Sequence, residues 1–198
     1  MTNFKQTWWD LNLENKMETF KSWIGDYDSE SKKFIRQHVI NNNYASLADF
    51  GCGVATEYFG YKNDNYNIKY LGIDSSSILN DKNTKVGVPM LFSDINETQL
   101  KDNEYEVSFS RHVLEHQPTY KDSLNEMIRV ASKEVINIFF IKPDKEKIDY
   151  NLNLNLYHNT YDKLEIESFC MNNKKVHSIE WLEINDKECS LHVKIKPQ

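Results

Sequence analysis

Cysteine, glycine, proline and long apolar runs are all scarce in this chain of 198 residues, and each scarcity excludes something. The three cysteines, Cys52, Cys170 and Cys189, are widely spaced. An odd count with no CxxC pair argues against a disulfide framework, a cysteine zinc site and a redox dithiol, so a reducing cytoplasm is the expected compartment. The four prolines and six glycines form no Pro/Gly/Ser linker, and no internal repeat is visible. One domain with a sizeable core is expected, with residues 1–43 as a helical amino-terminal cap and 44–198 as the body. No run approaches the roughly 18 apolar residues of a membrane span. The opening stretch from Met1 to Asp10 lacks the apolar core of a signal peptide. Lys and Arg number 24 against 30 acids, a net charge of −6 with no basic block. Free nucleic acid is therefore not an expected partner, because phosphate binding needs clustered cations. A small molecule or a protein fits better.

What is present is alternation of strands and helices. Phe34, Ile35, His38 and Val39 share one helical face, which Asn41-Asn42-Asn43 ends; Arg36 reads as part of a solvated face. Short apolar strands are predicted over Ser46 to Phe50, Ile68 to Ile73, Pro89 to Ser93, Tyr105 to Ser110 and Glu134 to Ile141. Helices are predicted from Val54, from Ser75, from His112 until Pro118 interrupts it, and along the stripe Tyr120, Leu124, Met127, Ile128. Residues 143–160 read as a long polar loop, a length that points to function or mobility. Tyr161 to Cys170 reads as a helix capped by Asn159 or Thr160. The last 25 residues suggest a hairpin turning at Asn185-Asp186. This order predicts an α/β fold with a mostly parallel sheet and an antiparallel closing strand.

The chemistry concentrates in Leu47-Ala48-Asp49-Phe50-Gly51-Cys52-Gly53. A strand, an acid and a Gly-X-Gly turn are followed by Asp74, 23 residues after Gly51, at the end of the second strand. That spacing suits an adenosine cofactor, with backbone approaching the ligand and the acid accepting from ribose hydroxyls. Its bland alternative is a tight turn followed by a helix cap at Asp74 or Ser75. Thr56 stands where a nicotinamide site would place its third glycine, which counts against a dehydrogenase. Asp94 follows the third strand, where it could accept from an adenine amino group while Ile95 offers apolar surface to the ring. Asp49, Asp74, Asp94 and Ser110 would all lie at the carboxyl edge of the sheet, where ligands bind.

Taken together, Asp49-Phe50-Gly51-Cys52-Gly53, Gly72-Ile73-Asp74, Ser93-Asp94-Ile95 and Phe109-Ser110-Arg111-His112-Val113-Leu114-Glu115-His116 resemble the class I S-adenosylmethionine-dependent methyltransferases, especially small enzymes acting on metabolites or sugars. The resemblance runs from about Leu47 to Ile141. It implies a Rossmann-like sheet of seven strands with a terminal antiparallel hairpin and helices on both faces. It implies S-adenosylmethionine as cofactor: Gly51, Cys52 and Gly53 with Asp49 at the methionine moiety, Asp74 and Ser75 at the ribose, Asp94 and Ile95 at adenine, Ser110 and Arg111 near the sulfonium. Ala55 stands where the family often has a third glycine, which is tolerated if the backbone angle there is ordinary.

His112-Val113-Leu114-Glu115-His116 also spells H-x-x-E-H, a zinc-peptidase pattern that would set two histidines on one helical face. The segment follows a strand end and no third ligand is specified, so the match reads as coincidence and no metal is expected. The resemblance instead places His116 before the acceptor as general base, since an oxygen nucleophile must lose a proton and imidazole titrates near neutrality; the alternative is a structural histidine. His112 reads as a wall of the cofactor site, and Glu115 as exposed or paired with Arg111. Trp9 with Trp8 and Trp23, Tyr27, and Tyr157-His158-Asn159-Thr160-Tyr161 are the candidates for holding a small polar acceptor, a hydroxyl-bearing sugar or related metabolite. Two other readings compete. One is a cofactor-binding regulatory module without turnover; the other, disfavoured by Thr56, is an NAD(P)-dependent oxidoreductase.

Overall fold

The computed structural model describes residues 26–152 and 155–197. The first described helix, α1 (Glu30–Asn41), buries Ile35 and Val39, one turn apart, against the sheet. Strands β1 (Ser46–Phe50), β2 (Lys69–Asp74), β3 (Met90–Phe92), β4 (Tyr105–Arg111) and β5 (Ala131–Phe139) alternate with helices α2 (Thr56–Asn63), α3 (Ser77–Lys85) and α4 (Lys121–Val130). A short hairpin, β6 (Tyr150–Asn151) with β7 (Leu156–Tyr157), precedes α5 (Lys163–Asn172), β8 (Val176–Glu183) and β9 (Cys189–Ile195).

The main sheet has seven strands in the order β3-β2-β1-β4-β5-β9-β8. Neighbours from β3 to β5 are parallel; β9 is antiparallel to both β5 and β8. The expected mostly parallel sheet with a closing hairpin is thus the observed one. Side chains alternate between two cores, one per face. Ala48, Val135 and Phe139 join Leu124 and Met127 on one face, while Leu47, Ile136 and Ile138 join Ile35, Val39 and Tyr61 on the other. Burial on both faces explains why these strands read as continuous apolar runs. Chain order reverses between β1 and β4, so their connections leave in opposite directions and open a crevice at the carboxyl edge.

The structure departs from the sequence reading in particular places. Strand β5 begins at Ala131, before the expected Glu134, because Ala131 pairs with Tyr105 across a bulge. Glu134 itself is buried, with Tyr44 Oη at 2.6 Å, His38 Nε2 at 3.0 Å, His192 Nδ1 at 2.7 Å and Lys194 Nζ at 2.7 Å all directed at its carboxylate. With the Lys194 ammonium against the same carboxylate, the cluster is knit together by hydrogen bonds and an ion pair. The His112 segment forms no α-helix. His112 has φ +57°, a left-handed backbone that interrupts helical geometry, and only Leu114–His116 makes a 3-10 turn. Helix α5 is capped by Asp162, whose carboxylate accepts from Glu165 N–H at 3.0 Å, and not by Asn159 or Thr160. Arg36 is buried, not solvated: its Nε donates to Asp64 Oδ2 at 2.8 Å.

Candidate cofactor and acceptor cleft

A cleft of about 1810 Å³ opens along the carboxyl edge of the sheet, above the chain reversal. Its floor is the turn after β1. Gly51 has φ +73°, and a Cβ there would lie 2.7 Å from Val113 Cγ2, so both backbone angle and space require glycine. Its N–H donates to Ile73 O at 2.8 Å, which ties the turn to the end of β2. Gly53 has φ +55° with open space where a side chain would begin. Its N–H donates to Asp74 Oδ2 at 3.0 Å, while Asp74 Oδ1 accepts from Ser76 N–H at 2.9 Å. The buried Asp74 carboxylate is therefore locked beside the glycine turn, and Asp74 and Ser75 both line the cleft. Ser76, one residue beyond the expected cap, accepts from Leu79 N–H at 3.3 Å.

Buried acids surround this floor. Asp49 accepts from Tyr70 Oη at 2.6 Å, and burial raises its carboxyl to about 7, against the lowering effect of the Tyr70 bond. Glu57, in the first turn of α2, is likewise raised to about 7 by burial, with Arg111 Nε and Arg36 Nη1 each 3.8 Å from its oxygens. Burial also pushes up the Cys52 thiol. Ile95 supplies an apolar wall, and the exposed Asp94 accepts from Asn96 N–H at 2.9 Å. Among the described residues, Lys32 and Arg111 are the cations lining the cleft, against many carboxylates.

The opposite end is built from rings. Phe140 lies with its ring centroid 5.1 Å from His112 and 5.3 Å from His116, and His116 lies 5.2 Å from His158. His112 Nε2 donates to Glu188 Oε1 at 2.7 Å, since its Nδ1 faces the Arg111 guanidinium at 3.4 Å. His116 Nδ1 lies 2.7 Å from the Tyr157 carbonyl, an acceptor only, so Nδ1 carries the proton. Burial lowers both imidazoles below their ordinary range and keeps them neutral at pH 7. The two histidines thus have separate partners, Glu188 for His112 and the Tyr157 carbonyl for His116.

Residues 48–139 match the model of the methyltransferase domain family. The fold is that of solved class I enzymes. This chain is similar to the 1,6-didemethyltoxoflavin-N1-methyltransferase of Burkholderia thailandensis, solved with 1,6-didemethyltoxoflavin and S-adenosylhomocysteine, with TM-score 0.67 and 10% identity over 94% of this chain and 86% of that one. The chain thus carries a methyltransferase-domain match over just under half its length, on a fold shared with S-adenosylmethionine-dependent methyltransferases. It is also similar to a methyltransferase of Thermotoga maritima, a possible histamine N-methyltransferase (TM-score 0.63, 13% identity, 96% and 100% covered). A third relative in fold is an S-adenosylmethionine-dependent methyltransferase of Aquifex aeolicus (TM-score 0.55, 20% identity, 77% and 82% covered). No curated protein matches the sequence. The Burkholderia enzyme holds S-adenosylhomocysteine, and the cleft of this chain suits a ligand of that kind. Open space over Gly53, a fixed carboxylate at Asp74, an apolar wall at Ile95 and an acidic lining match a cationic adenosine derivative.

Of the residues expected to form the methyltransferase site, Asp49, Gly51, Cys52, Gly53, Asp74, Ser75, Asp94, Ile95, Arg111, His112, His116, Tyr157 and His158 line the cleft. Three described ones do not. Ser110 is fully buried with its hydroxyl bonded to Asn137 Oδ1, because its side chain points into the sheet. Tyr161 is buried in the core, its hydroxyl 2.9 Å from the carbonyls of Leu114 and Gln117. Tyr27 is half-buried outside the lining. Trp8, Trp9 and Trp23 lie outside the described residues. Glu115 is neither exposed nor paired with Arg111: it is fully buried, Oε1 accepts from Phe140 N–H at 2.7 Å, and burial raises its carboxyl to about 7. Ala55 has φ +54°, so its backbone is not the ordinary one that alanine tolerates freely. Sequence reasoning missed Glu57, Phe140 and Glu188. Glu57 carried a signal, one turn into the helix after a glycine turn. Glu188 carried none, because nothing local sets a hairpin-turn acid beside His112.

Proposed function

We propose that the protein is an S-adenosylmethionine-dependent methyltransferase acting on a small polar acceptor, a hydroxyl of a sugar or related metabolite, with His116 as general base. The carrying observation is the state of the His116 ring. Its Nδ1 proton is committed to Tyr157 O at 2.7 Å, the residue lines the cleft, and Nε2 has no partner among the described residues. A neutral imidazole with a free Nε2 lone pair is the form that accepts a proton. S-adenosylmethionine supplies a methyl group already activated by positively charged sulfur, so the protein mainly aligns the acceptor and removes its proton. In this reading Gly51, Cys52 and Gly53 bound the methionine end, with Asp49 beneath and Arg111 beside it. Asp74 and Ser75 hold the ribose, Asp94 and Ile95 meet adenine, and His112 closes the wall. Phe140, Tyr157 and His158 offer ring faces and hydrogen-bonding groups to a compact acceptor. The acidic lining disfavours a phosphorylated one, since like charges repel more strongly where water is excluded.

Methyl transfer to nitrogen is the second reading. Two relatives in fold carry N-methyltransferase names, and an acid-lined cleft favours an amine or N-heterocycle. The test is methyl transfer from labelled S-adenosylmethionine to a panel of neutral sugars, phenols, amines and N-heterocycles. The hydroxyl reading expects product from the first two classes and a fall of roughly 10²–10⁴ in turnover for His116→Ala with unchanged S-adenosylhomocysteine affinity. Because burial lowers the imidazole, the rate should climb with pH to a plateau whose midpoint lies below the ordinary histidine value. Equal turnover of His116→Ala would overturn the base assignment. Cofactor binding without transfer to any member of a broad panel would favour the regulatory module.

A further inference from the structure

The side chains that hold His116 in place lie outside the cleft. Asn159 is fully buried and bonds to the backbone on both sides of the histidine. Its own N–H donates to Glu115 O at 2.9 Å, and its Nδ2 donates to Gln117 O at 2.8 Å. Its Oδ1 accepts from Asp149 N–H at 2.9 Å, and His158 N–H donates to Asp149 O at 2.7 Å. The same asparagine therefore joins the 3-10 turn to the segment whose Tyr157 carbonyl fixes the His116 proton on Nδ1. Tyr161 Oη, 3.2 Å from Asn159 Nδ2, braces the same turn through the Leu114 and Gln117 carbonyls.

Buried polar side chains must be satisfied, and most could be satisfied anywhere. Here every hydrogen bond made by the Asn159 side chain and backbone N–H converges on residues 115–117, on Tyr161 or on Asp149 opposite His158. Two constraints result. The turn cannot rotate His116 away from the cleft without breaking the Glu115 and Gln117 bonds. The Tyr157 carbonyl, two residues before Asn159, cannot withdraw from Nδ1 unless the chain between them rearranges.

We propose that Asn159 is a positioning residue for methyl transfer: it registers the Tyr157 carbonyl on His116 and so holds the ring as the Nδ1–H tautomer with Nε2 toward the acceptor. The inference rests on the reading of His116 as base, but its first readout does not. Ring-nitrogen NMR of histidine-labelled protein, with His116 assigned by its loss in His116→Gln, reports the tautomer directly. The wild type should show a protonated Nδ1 and a pyridine-type Nε2. Asn159→Ala should lose that single state while keeping S-adenosylhomocysteine affinity, and kcat should fall roughly 10–100-fold, with the KM for S-adenosylmethionine unchanged. Should Asn159→Ala fail to fold, Asn159→Asp carries the same test. It keeps the Oδ1 acceptor for Asp149 and the side-chain shape but removes the donation to Gln117, and it should show the same loss of tautomer. An unchanged Nδ1–H signature in folded Asn159→Ala and Asn159→Asp overturns the proposal. A shifted tautomer together with full turnover of His116→Ala would instead overturn the base reading, so the two failures are distinguishable.

Discussion

At Ala55 a single methyl group sits where the backbone is left-handed, with φ +54° and ψ 40°. Such a conformation costs a non-glycine residue about 1–2 kcal/mol. Replacing it by glycine removes that strain, but loses a buried methyl worth about 0.8 kcal/mol and adds about 0.4–1 kcal/mol of unfolded-state freedom. Ala55→Gly should therefore change stability by less than about 0.8 kcal/mol in either direction, where a buried alanine on ordinary backbone would lose more than about 1 kcal/mol. Urea unfolding of the two proteins checks this. At this scale the sequence was informative where chemistry and backbone coincide: Gly51, Gly53, Asp74 and Ile95 all face the cleft. It was less so where only side-chain direction decides. Ser110 and Tyr161 have suitable chemistry in suitable stretches, and each turns into the protein.

Among the elements, β5 shows why strand limits were harder to read than strand existence. Ser132 and Lys133 look like a polar connection before a strand that starts at Glu134, yet they are already strand. The buried Glu134 carboxylate is tolerated because side chains from α1, β9 and the segment before β1 all donate to it. No local pattern announces partners so distant in sequence. Those partners hold the carboxyl far below its ordinary range despite burial. Removing it leaves Lys194 and two histidines without their common acceptor, and breaking a buried ion pair costs about 3–5 kcal/mol. Glu134→Ala should lose stability on that scale in chemical unfolding; a loss below about 1 kcal/mol would show that the network is dispensable. The segment 112–116 misled in the other direction. Its residues suit a helix, but the left-handed His112 backbone turns the chain back under Phe140.

For the whole molecule, the buried carboxyls set a pH dependence of stability. Asp49, Glu57 and Glu115 are each raised by burial to about 7. A carboxyl raised on folding contributes its stability below the unfolded value and loses it as pH climbs through the folded value. These three therefore weaken the fold from about pH 4.5 to 7. Glu134 and Glu188, both held low, act oppositely and weaken it as pH falls below the ordinary carboxylate range. His112 and His116, lowered by burial, oppose acidification below their ordinary value. Three large carboxyl shifts outweigh two smaller imidazole ones, so the cofactor-free protein should melt at a higher temperature at pH 6 than at pH 8. The reverse order in a calorimetric scan would mean that these acids are solvated. Fold class and sheet order were legible because strand–helix alternation is a property of the entire chain.

The order of strands bears on how the protein is made. Strand β8 meets the rest of the sheet only through β9, which is bonded to β5 on one side and β8 on the other. The ribosome synthesises β8 first, yet β8 has no place in the sheet until β9 has emerged and been inserted between it and β5. Until then the growing chain exposes the open edge of β5 and lacks Glu188, the partner of His112. Folding of the sheet and completion of the cleft thus become one late event, after translation has passed residue 195.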